Sequence, residues 1–92
     1  MPAYADLVRD EAIDGLRLTL RQMAIIEAAE PCDIALGAIA ESLRMNKPDV
    51  TRNVDKLVKH GVVRREPHPT DRRVCMVRVT DTGRALYRRI AD

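Results

Sequence analysis

Leu36, Ile39, Ala40 and Leu43 recur at i, i+3, i+4 and i+7 and predict a short helix over Leu36–Met45 with one apolar face. Directly after it, Asn46-Lys47-Pro48-Asp49 reads as a new helix start. Asn46 is a favoured N-cap, proline is tolerated in a first turn, and Asp49 can return a hydrogen bond while favouring the positive helix end. Val50, Val54, Leu57 and Val58 then form a stripe at helical period, ending at Lys59-His60 and a left-handed cap at Gly61. Upstream, Thr19 has the place of an N-cap, with Gln22 at capping-box spacing. Leu20, Met23, Ala24 and Ile26 supply the apolar side of that helix, which Glu30-Pro31 is expected to end. A further helix is predicted over Tyr4–Arg17, with Leu7, Val8, Ala12 and Ile13 as its apolar residues.

Beyond Gly61 the period changes from helical to about two. Val62–Glu66 and Val74–Val79 are β-rich runs separated by Pro67-His68-Pro69-Thr70-Asp71-Arg72-Arg73, a hairpin with a proline-stiffened, basic tip. Thr80 or Asp81 caps a last helix, with Ala85, Leu86 and Ile90 inward and Arg84, Arg88 and Arg89 outward. The expected fold is α+β and mainly helical, in the order α-α-α-α-β-β-α. This is a winged helix-turn-helix with a two-stranded wing in a single domain over 1–92, the helix-turn-helix at 36–60 and the wing at 62–80.

Charge sharpens this picture. Residues 1–43 hold three Lys/Arg against eight Asp/Glu, a net −5, whereas residues 44–92 hold thirteen against six, a net +7. A basic half on a chain of net charge +2 is the footprint of a polyanion-binding face. The helix opening at Asn46 exposes Lys47, Asp49, Thr51, Arg52 and Lys56, donors suited to guanine edges and phosphates in a major groove. Arg72 and Arg73 on the tip suit a minor groove, with Asp71 as an orienting partner for Arg73. Taken alone, the helix is equally consistent with an ordinary amphipathic surface helix; the basic tip directly after it tips the balance.

The remaining chemistry is sparse. There is no Gly-rich phosphate loop, and neither His60 nor His68 has a Cys, Ser or carboxylate at catalytic spacing. His60 reads as a helix C-terminal residue and His68 as part of the solvated wing. Cys32 and Cys75 are read as small apolar residues, with a redox or metal role as the alternative. No enzyme activity, cofactor or metal is expected. No apolar run approaches the roughly 20 residues that span a bilayer, and MPAYADLVRDEAIDG lacks the pattern of a secretory signal, so no membrane association and a cytoplasmic location are expected.

Several short stretches together resemble the MarR (multiple antibiotic resistance) family of regulators, over about Leu18 to Leu86. They are Leu18-Thr19-Leu20-x-Gln22, Ile39-Ala40-x-x-Leu43, Val50-Thr51-Arg52-x-Val54-Asp55-x-Leu57, Gly61-Val62-Val63-x-Arg65, Pro69-x-Asp71-x-Arg73 and Val79-Thr80-x-x-Gly83. The resemblance implies a sequence-specific duplex-DNA-binding transcriptional regulator, a repressor acting as a homodimer on a palindromic site. Its implied DNA-binding residues are Asn46, Lys47, Pro48, Asp49, Thr51, Arg52, Lys56, Arg65, Arg72 and Arg73. Typical members are longer, with dimer helices that are shortened or absent here; the Tyr4–Arg17 helix or the last helix is the candidate for pairing two protomers. Two rivals remain, a winged helix used for protein–protein contact and an RNA-binding winged helix. The second has little support, because neither Tyr4 nor Tyr87 lies on the recognition-like helix or the wing.

Overall fold

Thr19 opens the first helix through a reciprocal capping box. Its hydroxyl accepts the Gln22 N–H at 3.1 Å, and the Gln22 Oε1 accepts the Thr19 N–H at 3.0 Å. The computed structural model describes residues 18–91, so the expected Tyr4–Arg17 helix lies outside the described residues. Helix α1 runs Leu20–Ala29 and buries Gln22, Ile25, Ile26 and Ala29. Leu20 is 43% exposed, and Met23 and Ala24 are half-buried, so the inward face is rotated from the one expected. The buried amide of Gln22 drives that difference: its hydrogen bonds are satisfied, which lets a polar side chain replace an apolar one on the core face. Glu30 keeps helical dihedrals (φ −65, ψ −43) despite the proline that follows it.

A two-residue strand, β1 (Ile34–Ala35), precedes helix α2 (Leu36–Leu43). Helix α2 stops two residues earlier than the apolar spacing predicts, because Arg44 turns left-handed (φ 55, ψ 42) and its N–H returns to the carbonyls of Ala40 and Glu41. The Asn46 side chain accepts the Asp49 N–H at 2.8 Å and starts helix α3 (Lys47–Lys59), which buries Val50, Val54 and Leu57. Val58, expected in this stripe, is 37% exposed. Gly61 (φ 72) ends the helix, with the Val62 N–H reaching back to the Leu57 carbonyl at 2.9 Å.

Strands β2 (Val63–Pro67) and β3 (Cys75–Val79) form the wing, paired antiparallel from Val63 opposite Val79 to Pro67 opposite Cys75. β1 adds to the other edge of β3, Ile34 opposite Val77, giving a three-stranded sheet in the order β1-β3-β2 where a two-stranded hairpin was expected. Two residues carry no detectable alternation, so nothing in the hydrophobic pattern marks that strand. Helix α4 (Asp81–Ala91) packs Leu86 inward, but Ala85 is exposed, and the Ile90 side chain lies outside the described set. The architecture is that of a winged helix, mainly helical with an antiparallel sheet.

Leu18, Ile25, Ile26, Ile39, Val50, Val54, Leu57, Val62, Val63, Val77 and Leu86 are all 0% exposed and form one cluster. Cys75 packs against it half-buried, whereas Cys32 is exposed, so the small-apolar reading fails for Cys32. Gly83 meets the Val62 carbonyl so closely that a Cβ there would lie 2.0 Å from the oxygen.

Two stability predictions follow from this packing. Leu57→Ala should lower unfolding free energy by about 2–5 kcal/mol, read by urea titration; an unchanged curve would misplace the buried stripe. Gly83→Ala tests the close approach by its sign. Alanine normally stabilises a helix interior by about 1 kcal/mol over glycine, whereas here the steric conflict should cost about 1–3 kcal/mol or more. A rise in melting temperature would refute the contact.

Candidate nucleic-acid interface

Helix α3 presents its ionic side because its stripe is held from below. Gln22 of α1 donates through Nε2 to Asn53 Oδ1 at 3.2 Å, and Asn53 donates through Nδ2 to the Asp49 carbonyl at 2.9 Å. This relay ties the opening turn of α3 to the start of α1. On the outer side, Asp49 does not return a bond to the cap as expected; its carboxylate pairs with Arg52 one turn later. Lys47, Pro48, Arg52 and Lys56 are exposed, and Thr51 is half-buried. Among the described residues, Lys47, Lys56 and Arg72 make no ion pair, which leaves their charge available to an external anion.

The wing is fastened to this helix at its base and stiffened at its tip. Arg65 of β2 pairs with Asp55 at 2.5 Å and reaches the Thr51 carbonyl at 3.5 Å, spanning from wing to helix. At the tip, Asp71 accepts the Arg73 backbone N–H at 3.0 Å and its guanidinium through Nε at 3.1 Å and Nη2 at 3.2 Å. These Arg73 bonds, side-chain first and backbone second, hold the Asp71 carboxyl below the usual carboxylate range. The Arg73 side chain is 90% exposed, so its position is set by Asp71 while its outer edge stays in solvent. The imidazole of His68 lies inside the same turn, accepting the N–H groups of Thr70 and Asp71.

Lys47, Thr51, Arg65 and Arg73 line a single concavity between α3 and the wing, whose apolar lining includes Ala35, Leu36, Val74 and Cys75. The fold thus brings together four of the expected site residues from two separate elements. Asn46, Pro48, Asp49, Arg52, Lys56 and Arg72 lie outside that lining. Asn46 is committed to capping, and Arg72 is exposed on the wing tip. Sequence reasoning missed the positioning residue Asn53, and it quoted Asp55 within the family-like stretch without assigning it a role. An asparagine inside a helix, where its propensity is poor, is the signal that points to Asn53. That family-like stretch does not reveal the role of Asp55, whose partner Arg65 is ten residues away on another element.

On the opposite side, Arg78 pairs with Asp33 and Glu66, and Arg84 pairs with Glu30. Asp33, foremost by its hydrogen bond and then by its charge, keeps the Arg78 guanidinium more firmly protonated than usual. The cations there are neutralised internally, unlike Lys47, Lys56 and Arg72. No helix among the described residues is long and apolar enough to cross a membrane, and no group of three or more His, Cys, Asp or Glu among them could hold a metal ion.

Comparison with known proteins agrees with this architecture. PecS, an HTH-type transcriptional regulator of Dickeya dadantii, is 29% identical over 91 residues, covering 95% of this chain and 55% of PecS. The uncharacterized HTH-type transcriptional regulator ML2140 of Mycobacterium leprae is 40% identical over 52 residues, 56% of this chain and 36% of ML2140. The chain therefore spans about half the length of one relative and about a third of the other. Among solved structures, YusO of Bacillus subtilis superposes with a TM-score of 0.84 at 20% identity, covering 98% of this chain and 61% of YusO. A MarR mutant from E. coli, solved with operator DNA, gives 0.81 at 24% identity, covering 97% and 64%. The MarR family model matches residues 18–75, the stretch that carries the helix-turn-helix and most of the wing, and the chain belongs to that family.

Proposed function

We propose that this chain is a sequence-specific duplex-DNA-binding transcriptional regulator, a cytoplasmic repressor that works as a homodimer on a palindromic site. Helix α3 enters the major groove with Lys47, Thr51, Arg52 and Lys56 toward base edges and phosphates. The wing from Pro67 to Arg73 lies along the minor groove, where guanidinium groups are favoured by the negative potential. Asn46, Pro48 and Asp49 shape the opening turn; Asn46 holds the Asp49 N–H and Pro48 has none, so an anion there meets the Lys47 side chain instead. The observation that carries this reading is the shared concavity: Lys47, Thr51, Arg65 and Arg73 converge there from a helix and a wing that Arg65 joins. The operator complex of the E. coli MarR mutant gives the same fold a DNA-bound precedent.

Arg52 and Arg65 hold carboxylate partners in the free protein. Exposed pairs of this kind are worth only about 0–1 kcal/mol, so a phosphate can displace a carboxylate at little cost. Selection from random duplexes, followed by titration at several salt concentrations, tests the assignment. Affinity should fall steeply with salt as condensed counterions are released. A protein-docking module would select no duplex and show no such slope.

Lys47→Ala and Arg73→Ala should each weaken binding and lower the salt slope by about one phosphate contact while leaving the melting curve unchanged. Collapse of either variant on heating, or an unaltered titration, would remove that residue from the interface. Asp71→Ala should also weaken binding, although it removes a negative charge, because Arg73 loses its brace. Tighter binding by that variant would mean that Asp71 acts only as a repulsive charge. Since Asp71 titrates below the usual carboxylate range, the brace is complete at neutral pH and is lost only as pH falls through that depressed value.

A further inference from the structure

The wing tip contains a hydrogen-bond acceptor that the reading above does not use. His68 Nδ1 lies 3.1 Å from the Thr70 backbone nitrogen, 3.1 Å from that of Asp71 and 3.4 Å from the Thr70 hydroxyl. Both backbone N–H groups donate, so this ring nitrogen presents a lone pair and the proton of the neutral imidazole resides on Nε2. The turn is closed from outside by two backbone bonds, His68 N–H to the Val74 carbonyl and Val74 N–H to the Asp71 carbonyl, each 3.1 Å. Inside it, the imidazole accepts both N–H groups. Asp71, anchored through its N–H, is the residue that braces Arg73.

We infer that His68 is a positioning residue of the wing, its neutral imidazole holding the turn that aims Arg73, so that protonation of the ring releases the tip. This inference rests on the DNA-binding reading for its consequence, though not for its structural content. An imidazolium carries hydrogens on both nitrogens and accepts from neither. The cation therefore leaves the Thr70 and Asp71 N–H groups facing a third donor. Asparagine and aspartate commonly fill this role in turns, accepting an N–H two residues on. An asparagine at position 68 thus supplies the acceptor without the titration.

Several charged groups of the wing lie near His68 along the chain. Asp71 interacts with it electrostatically. Glu66 precedes it on β2, Arg72 and Arg73 follow on the tip, and the Cys75 thiol lies on β3 opposite Pro67. Asp71 remains ionised across the histidine range, because Arg73 holds its carboxyl low. A second histidine, His60, sits at the end of α3, and a His68→Asn variant retains it.

Two effects of protonation oppose each other, and their signs differ. Added positive charge on a DNA-facing loop by itself tightens binding; loss of the turn weakens it. The added charge sits on a half-buried ring and acts on a duplex through salt-screened solvent, whereas two hydrogen bonds and the placement of Arg73 depend directly on the lone pair. The geometric effect should therefore dominate.

The test compares the full chain with His68→Asn and His68→Ala, using the duplex recovered by selection, at fixed salt from about pH 8 to about pH 5.5. Wild type should lose about threefold to tenfold in affinity on acidification relative to His68→Asn. His68→Ala should be weaker by a similar factor already at the alkaline end, with an unchanged melting temperature. Equal pH profiles for wild type and His68→Asn, tighter wild-type binding in acid, or full affinity in His68→Ala would each overturn the inference. Amide shifts of Thr70 and Asp71, followed by NMR in the absence of DNA, should move with the His68 ring titration in wild type and stay flat in His68→Asn. Flat shifts in wild type would refute the turn itself. If those shifts do titrate but no variant binds any duplex, the failure lies with the DNA reading and its claimed consequence for affinity.

Discussion

The Val62 carbonyl is the point at which the three functional pieces of the domain meet. It accepts the Thr80 N–H at 3.0 Å, and the Thr80 hydroxyl, which donates toward Gly61 and Val62 at 2.6 and 3.0 Å, reaches the same place. Thr80 also caps α4 by accepting the Gly83 N–H at 3.0 Å. Gly83 then passes close enough to the Val62 oxygen to exclude any side chain. The end of α3, the start of the wing and the first turn of α4 are thereby fixed at one spot. Polar groups that would otherwise be stranded at a helix end and a strand start satisfy one another there, beside the buried Val62, Val63 and Val79.

From that junction, the orientation of α3 is defined twice more. Its apolar side is set by Val50, Val54 and Leu57, which supply the bulk of the adhesion but no sharp angular preference. The Gln22–Asn53–Asp49 relay supplies the preference, because its bonds require particular atoms to meet. Arg65 does the same between helix and wing. Partly exposed pairs of this kind add little net stability. Their value lies in register: a duplex presents groove and phosphates at fixed separations, and an interface whose parts are already spaced loses less entropy on binding.

Much of this was legible in the amino-acid sequence, and the reason is locality. Asn46 with Asp49, Gly61, Thr19 with Gln22, and Thr80 all act within about one turn of themselves, so cap and turn chemistry reveals helix starts and ends directly. The basic tip after a strand-like run was legible in the same way. The parts that were not legible depend on distant partners. β1 has only two residues and exists because β3 offers it an edge. The rotated face of α1 depends on Asn53, thirty-one residues on, which makes a buried glutamine acceptable. Ala85 faces solvent because Gly83 and Leu86 take the inward positions, a choice that the close approach to Val62 settles and that alanine's own preferences leave open.

His68 shows where such a reading stops even when every residue concerned is local. A histidine between two prolines in a polar loop gives no sequence signal beyond exposure, and its ring can serve as donor, acceptor or cation. Only the placement of two backbone N–H groups at 3.1 Å from one nitrogen decides among those roles. Once that choice is made, the tip becomes a chain of dependencies in which imidazole holds Asp71 and Asp71 holds Arg73. Each link is weak and at least partly open to solvent, so the tip contributes little to the stability of the fold, whose core lies elsewhere. For the same reason it is free to respond to conditions that leave the core untouched. A wing built in this way can alter how well it meets a duplex without any change in the domain that carries it.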